Sequence, residues 1–310
     1  MGESAAESRE AVRLRLPATS ANLGPGFDSL ALALKLYLYV EAEPAERVTV
    51  EASGRNADVC GATEKNLLIE TYRETLARCG REFVPLRLVV RNEIPLGMGC
   101  GSSAAVRLAA LALALRFGGL EWSRERDGQR ILAEASRLEG HPDNAAACWL
   151  GGFVAATMEG HEVRAVSIRP PAAWRAVVVM PEQPLATAAS RGMLPERYER
   201  RDVVENLQRV GLLTAAFATG QADVLAAAMR DQLHQPYRAE ACPLLPRLLP
   251  LAGRGGIAGV ALSGAGPAVL LLATSVEGAR EAKEMAAREL EGMGTVEFLV
   301  CELEGGAVRF

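Results

Sequence analysis

A segment rich in glycine and serine, residues 95–105, combines residue types that could bind an anion. Three alternating glycines and two serines lead directly into residues 104–116, an apolar run of strong helix formers. The first backbone N–H groups of a helix lack intrahelical partners and lie at the positive end of the helix dipole. Glycines let the backbone approach a phosphate closely, and hydroxyls can bind its oxygens or a divalent cation. The segment therefore predicts a polyphosphate site; a tight loop before a buried helix is the alternative.

Two well-known phosphate-binding loops fit this segment badly. A P-loop has a lysine before its final serine or threonine, whereas Gly101 is followed directly by Ser102, and the three lysines of the chain lie elsewhere. A dinucleotide-binding fingerprint requires a third glycine, and Ser102 occupies that position. A nicotinamide-dependent oxidoreductase is therefore the weaker alternative.

Composition limits the classes of protein to which the chain can belong. With 310 residues, of which 49% are hydrophobic, it can bury a full core and form two domains or one large one. The net charge is −4 and the arginines are scattered, so we expect a small-molecule partner and no nucleic acid. Because no uninterrupted apolar stretch of about 20 residues occurs and residues 1–10 lack the apolar core of a signal peptide, we expect a cytoplasmic protein without membrane contact.

The cysteines do not indicate a metal site or a disulfide framework. The six cysteines are far apart, none forms a Cys-x-x-Cys pair, and the chain has three histidines. Cys100 lies beside the predicted helix start, where a thiol can have a lowered pKa. We nevertheless favour the interpretation of Cys100 as a small apolar filler of the loop.

Hydrophobic periodicity predicts a mixed chain of α+β type. A break at residues 169–171 suggests a domain boundary, and the chain ends in a strand-strand-helix-strand unit. Residues 17–26 are predicted to form a loop, and residues 139–144 a polar turn. The predicted strands are 12–16, 30–40, 48–52, 86–90, 154–157, 176–180, 259–262, 268–273 and 296–302, and the predicted helices are 66–79, 104–116, 129–138, 203–218, 222–233, 243–252 and 276–290.

Two further segments join the glycine-serine segment in a fixed order. Residues 17–28 read Pro-Ala-Thr-Ser-Ala-Asn-Leu-Gly-Pro-Gly-Phe-Asp, and residues 262–267 read Leu-Ser-Gly-Ala-Gly-Pro. In this order the three segments resemble the motifs of the GHMP kinases, a family that includes galactokinase and mevalonate kinase. The resemblance implies an ATP-dependent kinase of α+β, two-domain fold. It implies an N-terminal ATP-binding domain of the ribosomal-protein type, residues 1–168, and a C-terminal ferredoxin-like domain, residues 169–310.

Within this family, several segments resemble the branch that phosphorylates L-homoserine during threonine biosynthesis. They are residues 20–30, 139–146, 187–191 and 231–238. The implied reaction transfers a phosphoryl group from Mg-ATP to the side-chain hydroxyl of L-homoserine. Another small alcohol, such as mevalonate or shikimate, is an alternative acceptor, and a non-catalytic nucleotide-binding protein is an alternative of a different class. The oligomeric state is open, and a homodimer is one option.

The chemistry of homoserine fits the residues that the resemblance assigns to its binding. Arg191 and Arg238 can make planar, bidentate contacts with the carboxylate. By resemblance, Asp28 binds the ammonium group and Asn22 orients the substrate, although both residue types also favour turns. The implied substrate-binding residues are Asn22, Asp28, His141, Asn144, Thr187, Arg191, Arg238 and Gly264.

The resemblance also assigns residues to ATP, to Mg²⁺ and to catalysis. Glu139 and Ser103 are the implied metal ligands, with Ser102 as the fallback; a glutamate at a helix C-terminus opposes the helix dipole, which suggests a role. Asn144 is implied to bond the attacking hydroxyl, so Asn144, Ser103 and Glu139 form the predicted catalytic set. Asp143 is the one acid offered as a general base, and we expect none to be needed because phosphoryl transfer depends on positioning and charge neutralisation. The implied ATP-binding residues are Pro95, Leu96, Gly97, Met98, Gly99, Cys100, Gly101, Ser102, Ser103, Ala104 and Asn66, the last of which could instead cap a helix.

Overall fold

Two β-sheets form the framework of the protein. The computed structural model describes residues 11–119, 124–185 and 190–304. The first sheet has the order β3-β4-β2-β5-β6, and β1 also pairs with β2. Only β3 and β4 pair in parallel. Its strands are β1 (Val12–Asn22), β2 (Gly26–Pro44), β3 (Thr49–Gly54), β4 (Leu86–Asn92), β5 (Phe153–Glu159) and β6 (Glu162–Ile168).

The hairpin of β1 and β2 differs from the prediction. Residues 17–26 were expected to form a loop, but β1 continues through Pro17 to Asn22. The register of the pairing shifts between Pro17 and Ala18. Proline is tolerated in a strand at such an irregularity because the ladder is already interrupted there. The turn is therefore shorter than expected; Asn22 is the last residue of β1, and Asp28 is the third residue of β2.

Helices cover the first sheet, and α3 (Ser102–Phe117) has the largest number of buried residues among those described. Eleven of its residues are buried, and it contacts α2, α4, α5 and β1. A helix that is apolar on all sides is the expected occupant of such a central position. The sequence predicts a polar turn at residues 139–144 and no helix after it, so the structure adds α5, Asp143–Leu150. The helices are α1 (Ala57–Cys60), α2 (Leu67–Arg78), α3 (Ser102–Phe117), α4 (Arg124–Glu139) and α5 (Asp143–Leu150).

The second sheet is antiparallel, with the order β10-β7-β9-β8. Helix α10 packs on it through Ala279, Ala282 and Ala286, whose spacing places them on one helix face. The helix predicted at 222–233 is wrong, because only Leu225–Ala228 is helical there. The remaining elements are β7 (Arg175–Pro181), α6 (Arg200–Thr219), α7 (Leu225–Ala228), α8 (Gln235–Arg238), α9 (Leu244–Leu248), a 3₁₀ turn (Leu249–Leu251), β8 (Gly259–Leu262), β9 (Val269–Ala273), α10 (Val276–Glu289) and β10 (Val296–Glu302).

The described helices do not include one suited to a membrane. Across residues 11–119, 124–185 and 190–304, every helix is too short or too polar to cross a bilayer.

Candidate active site

The glycine-serine segment forms an irregular loop that ends at the N-terminus of α3. Gly97, Gly99 and Gly101 have φ angles of 69°, 78° and 68°, in the left-handed region that favours glycine. Gly101 precedes α3, and no side chain caps the first turn. A Cβ atom on Gly99 would lie 2.1 Å from the carbonyl oxygen of Ser263. The loop therefore requires glycine at this position, and its helix start keeps backbone donors for a ligand.

The loop is fastened to the C-terminal half of the chain by hydrogen bonds. Three successive loop carbonyls accept hydrogen bonds from donors in that half. The pairs are Gly97 O with Leu185 N at 3.1 Å, Met98 O with Ala268 N at 3.3 Å, and Gly99 O with Ser263 Oγ at 2.8 Å. With these carbonyls satisfied by the second half, the loop is held in one conformation.

Two cavities meet at the first turn of α3. Ser102 and Ser103 line both of them. One cavity, of about 250 Å³, is lined mainly by apolar side chains from β2, β3, β4, α2 and α3, including Val50, Leu68 and Val90. The other, of about 190 Å³, has ten polar or charged residues among the 18 that line it, and we call it the polar cavity. A ligand that has both an apolar part and a polyphosphate could therefore follow the helix start from the first cavity to the second.

The polar cavity contains nearly all the residues that the sequence assigned to the substrate, the metal and catalysis. Thr187 lies outside the described residues, and Asn66 lines the apolar cavity instead. The predicted residues that line the polar cavity are Asn22, Asp28, Gly97, Gly99, Cys100, Gly101, Ser102, Ser103, Glu139, His141, Asn144, Arg191, Arg238 and Gly264.

The turn between β1 and β2 orients Asn22 and Asp28. Both residues have positive φ angles, 69° and 54°, which asparagine and aspartate tolerate better than most residues. The Asn22 side chain donates to the Gly264 carbonyl at 2.8 Å and accepts from the Asp28 backbone N–H at 3.0 Å. Gly264 N–H donates to the Ala21 carbonyl at 3.1 Å, so the first and third motifs are in direct contact.

Asp28 and Arg191 form a bidentate ion pair. The two guanidinium nitrogens of Arg191 lie 2.9 Å and 2.7 Å from the two carboxylate oxygens of Asp28. The side chains are 29% exposed for Asp28 and 40% exposed for Arg191. Water thus reaches the pair, and its contribution to the stability of the fold is small, at most about 1 kcal/mol.

Arg238 is a buried cation that has neutral hydrogen-bond partners. It is 2% exposed, and burial, together with the charge of Arg191, lowers its pKa. Its guanidinium donates to the Ser190 carbonyl at 3.3 Å and to His234 Nδ1 at 3.1 Å. Within the described ranges, no carboxylate forms an ion pair with Arg238. A buried cation in this setting is suited to bind an anionic ligand.

Glu139, at the C-terminus of α4, faces the start of α3. Ser103 Oγ donates to Glu139 Oε2 at 2.8 Å, and Arg107 Nε lies 2.8 Å from Glu139 Oε1. Arg107 also donates to the Leu138 carbonyl at 2.8 Å. The guanidinium thus offsets the unfavourable position of a carboxylate at a helix C-terminus.

Asn144, Asp143 and His141 follow Glu139 at the start of α5. The Thr19 hydroxyl donates to Asn144 Oδ1 at 2.6 Å. Asp143 Oδ1 accepts from the Asn144 N–H at 2.7 Å and lies 2.5 Å from His141 Nδ1. Burial lowers the pKa of His141, but the hydrogen bond and charge of Asp143 outweigh it, so the pKa is raised overall. The protonated form of His141 is therefore favoured more than it is in a free imidazole.

Comparison with known proteins places this geometry in a family. Residues 66–152 match the family model "GHMP kinases N terminal domain", and residues 213–292 match "GHMP kinases C terminal". A homoserine kinase of Solibacter usitatus is 45% identical over 260 residues, which cover 83% of this chain and 84% of that protein. A homoserine kinase of Deinococcus radiodurans is 39% identical over 257 residues, covering 83% and 82%. The chain belongs to the homoserine kinase branch of the GHMP kinase family. Membership implies the use of ATP, as the sequence predicted.

Solved structures confirm the fold of this GHMP kinase. The crystal structure of a homoserine kinase from Cytophaga hutchinsonii has a TM-score of 0.82 and 24% identity, with 97% of each chain covered. Mevalonate kinase of L. major, solved with R-mevalonate, has a TM-score of 0.70 and 15% identity, covering 96% of this chain and 98% of the other. The α+β, two-domain fold that the sequence predicted is therefore confirmed.

Two residues of this GHMP kinase have a local role that the structure makes explicit. Asn66 caps α2, because its Oδ1 accepts from the N–H groups of Leu68 and Ile69. Its Nδ2 donates to the carbonyls of Cys60, at the end of α1, and Ala62. A contact between Asn66 and the nucleotide stays a prediction. The idea of a lowered pKa at Cys100 is wrong, because burial raises the pKa of this thiol to about 12. Cys100 is the small buried filler of the loop.

Sequence reasoning missed the residues that hold the predicted site residues in place. Thr19 lies inside the first motif but was not singled out, although it contacts Asn144. Arg107 lies four residues after Ser103, so both belong to the same face of α3, and this spacing could have indicated a shared partner. His234 lies in segment 231–238 beside Arg238, and the sequence alone gives it no role.

Proposed function

We propose that this protein is a kinase that transfers the γ-phosphoryl group of Mg-ATP to the side-chain hydroxyl of L-homoserine. The observation that carries the proposal is the polar cavity, in which Asp28, Arg191 and Arg238 lie with the glycine-rich loop and Asn144. A substrate with a carboxylate, an ammonium and a hydroxyl matches these groups. The naming of the curated relatives as homoserine kinases supports the same choice.

At the substrate end, the charges of the cavity favour an amino acid. The carboxylate would bind the guanidinium groups of Arg191 and Arg238, and the ammonium would bind Asp28. Because Asp28 and Arg191 already pair with each other, the substrate exchanges one partly exposed ion pair for two new ones. A ligand with a carboxylate alone would take Arg191 and leave Asp28 without its partner, which costs free energy.

At the nucleotide end, the apolar cavity suits the adenine ring. The polyphosphate would lie at the loop, where the first N–H groups of α3 and the helix dipole stabilise negative charge. His141, whose pKa is raised, would add positive charge to the polar cavity in its protonated form. The site thereby neutralises phosphate without a P-loop lysine.

Ser103 and Glu139 fit a magnesium ion. One hydroxyl and one carboxylate are oxygen donors of the kind that Mg²⁺ prefers, and Mg²⁺ commonly keeps waters and phosphate oxygens as its other ligands. The two groups are 2.8 Å apart at the helix start, beside the expected phosphates. When bound, Mg²⁺ would supply charge neutralisation on the phosphate oxygens.

The acceptor hydroxyl requires positioning more than a strong base. Asn144 has a fixed orientation because its Oδ1 is held by Thr19, and its side chain can bond the hydroxyl oxygen. Asparagine does not accept a proton at neutral pH, which is compatible with a loose transition state in which the hydroxyl proton leaves late. Asp143 is engaged by His141 and by the Asn144 N–H. We therefore assign no general base.

The direct test measures product formation. Purified protein incubated with Mg-ATP and L-homoserine should form ADP and O-phospho-L-homoserine in equal amounts, detected by mass spectrometry. Mevalonate and shikimate serve as competing acceptors and should react much more slowly. Equal turnover of an alcohol that lacks both carboxylate and amine would contradict the proposal, and ATP binding without any phosphorylated product would favour a non-catalytic protein.

The proposal includes the organisation of the chain. The division at residue 168 is supported by the end of β6 at Ile168 and by the pairing of β7 within the second sheet. A cytoplasmic location and a homodimer remain predictions. Sedimentation of the purified protein at several concentrations would test the second.

A further inference from the structure

A buried histidine lies directly behind the arginine that we assign to the substrate carboxylate. His234 is fully buried, and it belongs to the segment 231–238, whose histidine had no role in the sequence analysis. One ring nitrogen, Nε2, lies 2.8 Å from the Gly24 carbonyl oxygen, and the other, Nδ1, lies 3.1 Å from Nη1 of Arg238. The ring therefore connects the β1–β2 turn to Arg238.

The two partners leave one protonation state for this ring. A carbonyl oxygen only accepts a hydrogen bond, so Nε2 must carry a proton. A guanidinium only donates, so Nδ1 must be bare and offer its lone pair. The ring is thus neutral and protonated at Nε2 alone.

The surroundings of His234 favour the neutral ring. Burial is the largest effect on its pKa and lowers it, and the charge of Arg238 acts in the same direction against Asp231. The carboxylate of Asp231 lies 3.5 Å from Nε2, but it accepts hydrogen bonds from the backbone N–H groups of Leu233, His234 and Gln235. The Asp231 carboxylate therefore binds the backbone N–H groups at the start of α8. It does not require a second proton on the His234 ring as a partner.

We propose that His234 is a positioning residue that uses the lone pair of Nδ1 to aim the guanidinium of Arg238 at the substrate carboxylate. Asp28 lies four residues after Gly24, and the ring of Phe27 stacks on His234 with centroids 5.4 Å apart. Phe27 also lies under Arg238, at 5.4 Å from its guanidinium carbon. The His234 ring thus sets the distance between Arg238, which we assign to the carboxylate, and Asp28, which we assign to the ammonium. This inference rests on the proposed function, because the role is defined toward an amino-acid substrate.

Two variants separate the two hydrogen bonds of the ring. His234→Asn keeps an acceptor near the position of Nδ1 and loses the donor to Gly24, whereas His234→Gln keeps a donor near Nε2 and loses the acceptor for Arg238. We expect His234→Gln to raise KM for homoserine by about tenfold to a hundredfold, the range for a lost hydrogen bond to a charged group. We expect His234→Asn to stay within about threefold of the wild type, with KM for ATP unchanged in both. Equal effects, or a larger effect of His234→Asn, would overturn the proposal.

A measurement on the unaltered protein keeps the test decisive if a variant fails to fold. The chain has three histidines, so ¹⁵N spectra of the imidazoles are simple, and tuning of the growth medium can label histidine alone. We expect one neutral ring protonated at Nε2 that does not titrate with the others; an Nδ1-protonated or charged His234 overturns the proposal. If the wild type gave this spectrum but no phosphohomoserine, the proposed function would fail separately.

Discussion

Replacing Asp28 by asparagine should convert the selectivity of the site from an amino acid toward a simple hydroxy acid. The variant should keep the backbone conformation of the wild type, because asparagine tolerates the φ angle of 54° at this position. The hydrogen bond to the Asn22 side chain is also kept, because its donor is the backbone N–H of residue 28. It removes the charge that we assign to the substrate ammonium. The ammonium then lies near two arginines without an opposite charge.

The size of the effect follows from the burial of the pair. Truncating one partner of a desolvated charge pair costs about 2–5 kcal/mol. Because Asp28 is 29% exposed and Arg191 is 40% exposed, we take the lower part of that range, about 2–3 kcal/mol. At 1.4 kcal/mol per factor of ten, kcat/KM for homoserine should fall by about 30- to 150-fold.

The assay compares two acceptors that differ in one group. 4-Hydroxybutyrate has the carboxylate and hydroxyl of homoserine but no ammonium. We expect its kcat/KM not to fall and rather to rise in the variant, because binding of its carboxylate to Arg191 no longer leaves a charged Asp28 without its partner. Glu41→Gln serves as the control, since it breaks an exposed pair with Arg13 on the outer part of the hairpin. If both acceptors lose activity equally, or if their ratio stays at the wild-type value, the reasoning is refuted.

Three further predictions address the metal site, the base and the loop. Glu139→Gln should raise the Mg²⁺ concentration for half-maximal rate by at least about tenfold, the lower end of what a lost outer-shell group costs, and an unchanged Mg²⁺ titration would exclude Glu139 as a ligand. Asp143→Asn should keep substantial turnover, whereas a loss near 10⁴-fold, the upper end for removal of a general base, would show that a base is needed. In the same variant the pKa of His141, measured by NMR, should fall below the ordinary value of about 6.5, because burial then has the largest effect. In the wild type the pKa of His141 is raised on folding. The pair of His141 and Asp143 therefore stabilises the folded protein below about pH 6.5, and this stabilisation is lost as the pH rises through the raised pKa. Gly99→Ala should destabilise the protein by more than about 1 kcal/mol and weaken ATP binding, because the added Cβ atom would clash with the Ser263 carbonyl. Gly211→Ala on α6 serves as the control, since the added Cβ atom there meets no other atom. In a thermal melt this control should be more stable than the wild type by about 0.4–1 kcal/mol.

The sequence was most informative where local chemistry determines the structure. The start of α3 followed from glycines before a run of helix formers, and the last strand, 296–302, was predicted with its observed bounds. The predicted helix at 222–233 is wrong at its end because the Asp231 carboxylate accepts hydrogen bonds from the N–H groups of Leu233 and His234, which gives the backbone a local alternative to the helix. The cavity could not be inferred from spacing, since Asp28 and Arg191 are 163 residues apart. What joined them in advance was the family resemblance, and their bidentate contact required the structure.

The attachment of the phosphate loop has a consequence for how such a chain can be altered. Three of its carbonyls are bonded to residues beyond position 180, so the conformation that presents N–H groups to a nucleotide is a property of the whole polypeptide. We expect that residues 1–168 expressed alone would bind ATP poorly even if the first sheet folds. Segments exchanged between relatives would have to carry the loop together with residues 262–268, so these two distant stretches must be inherited as a unit.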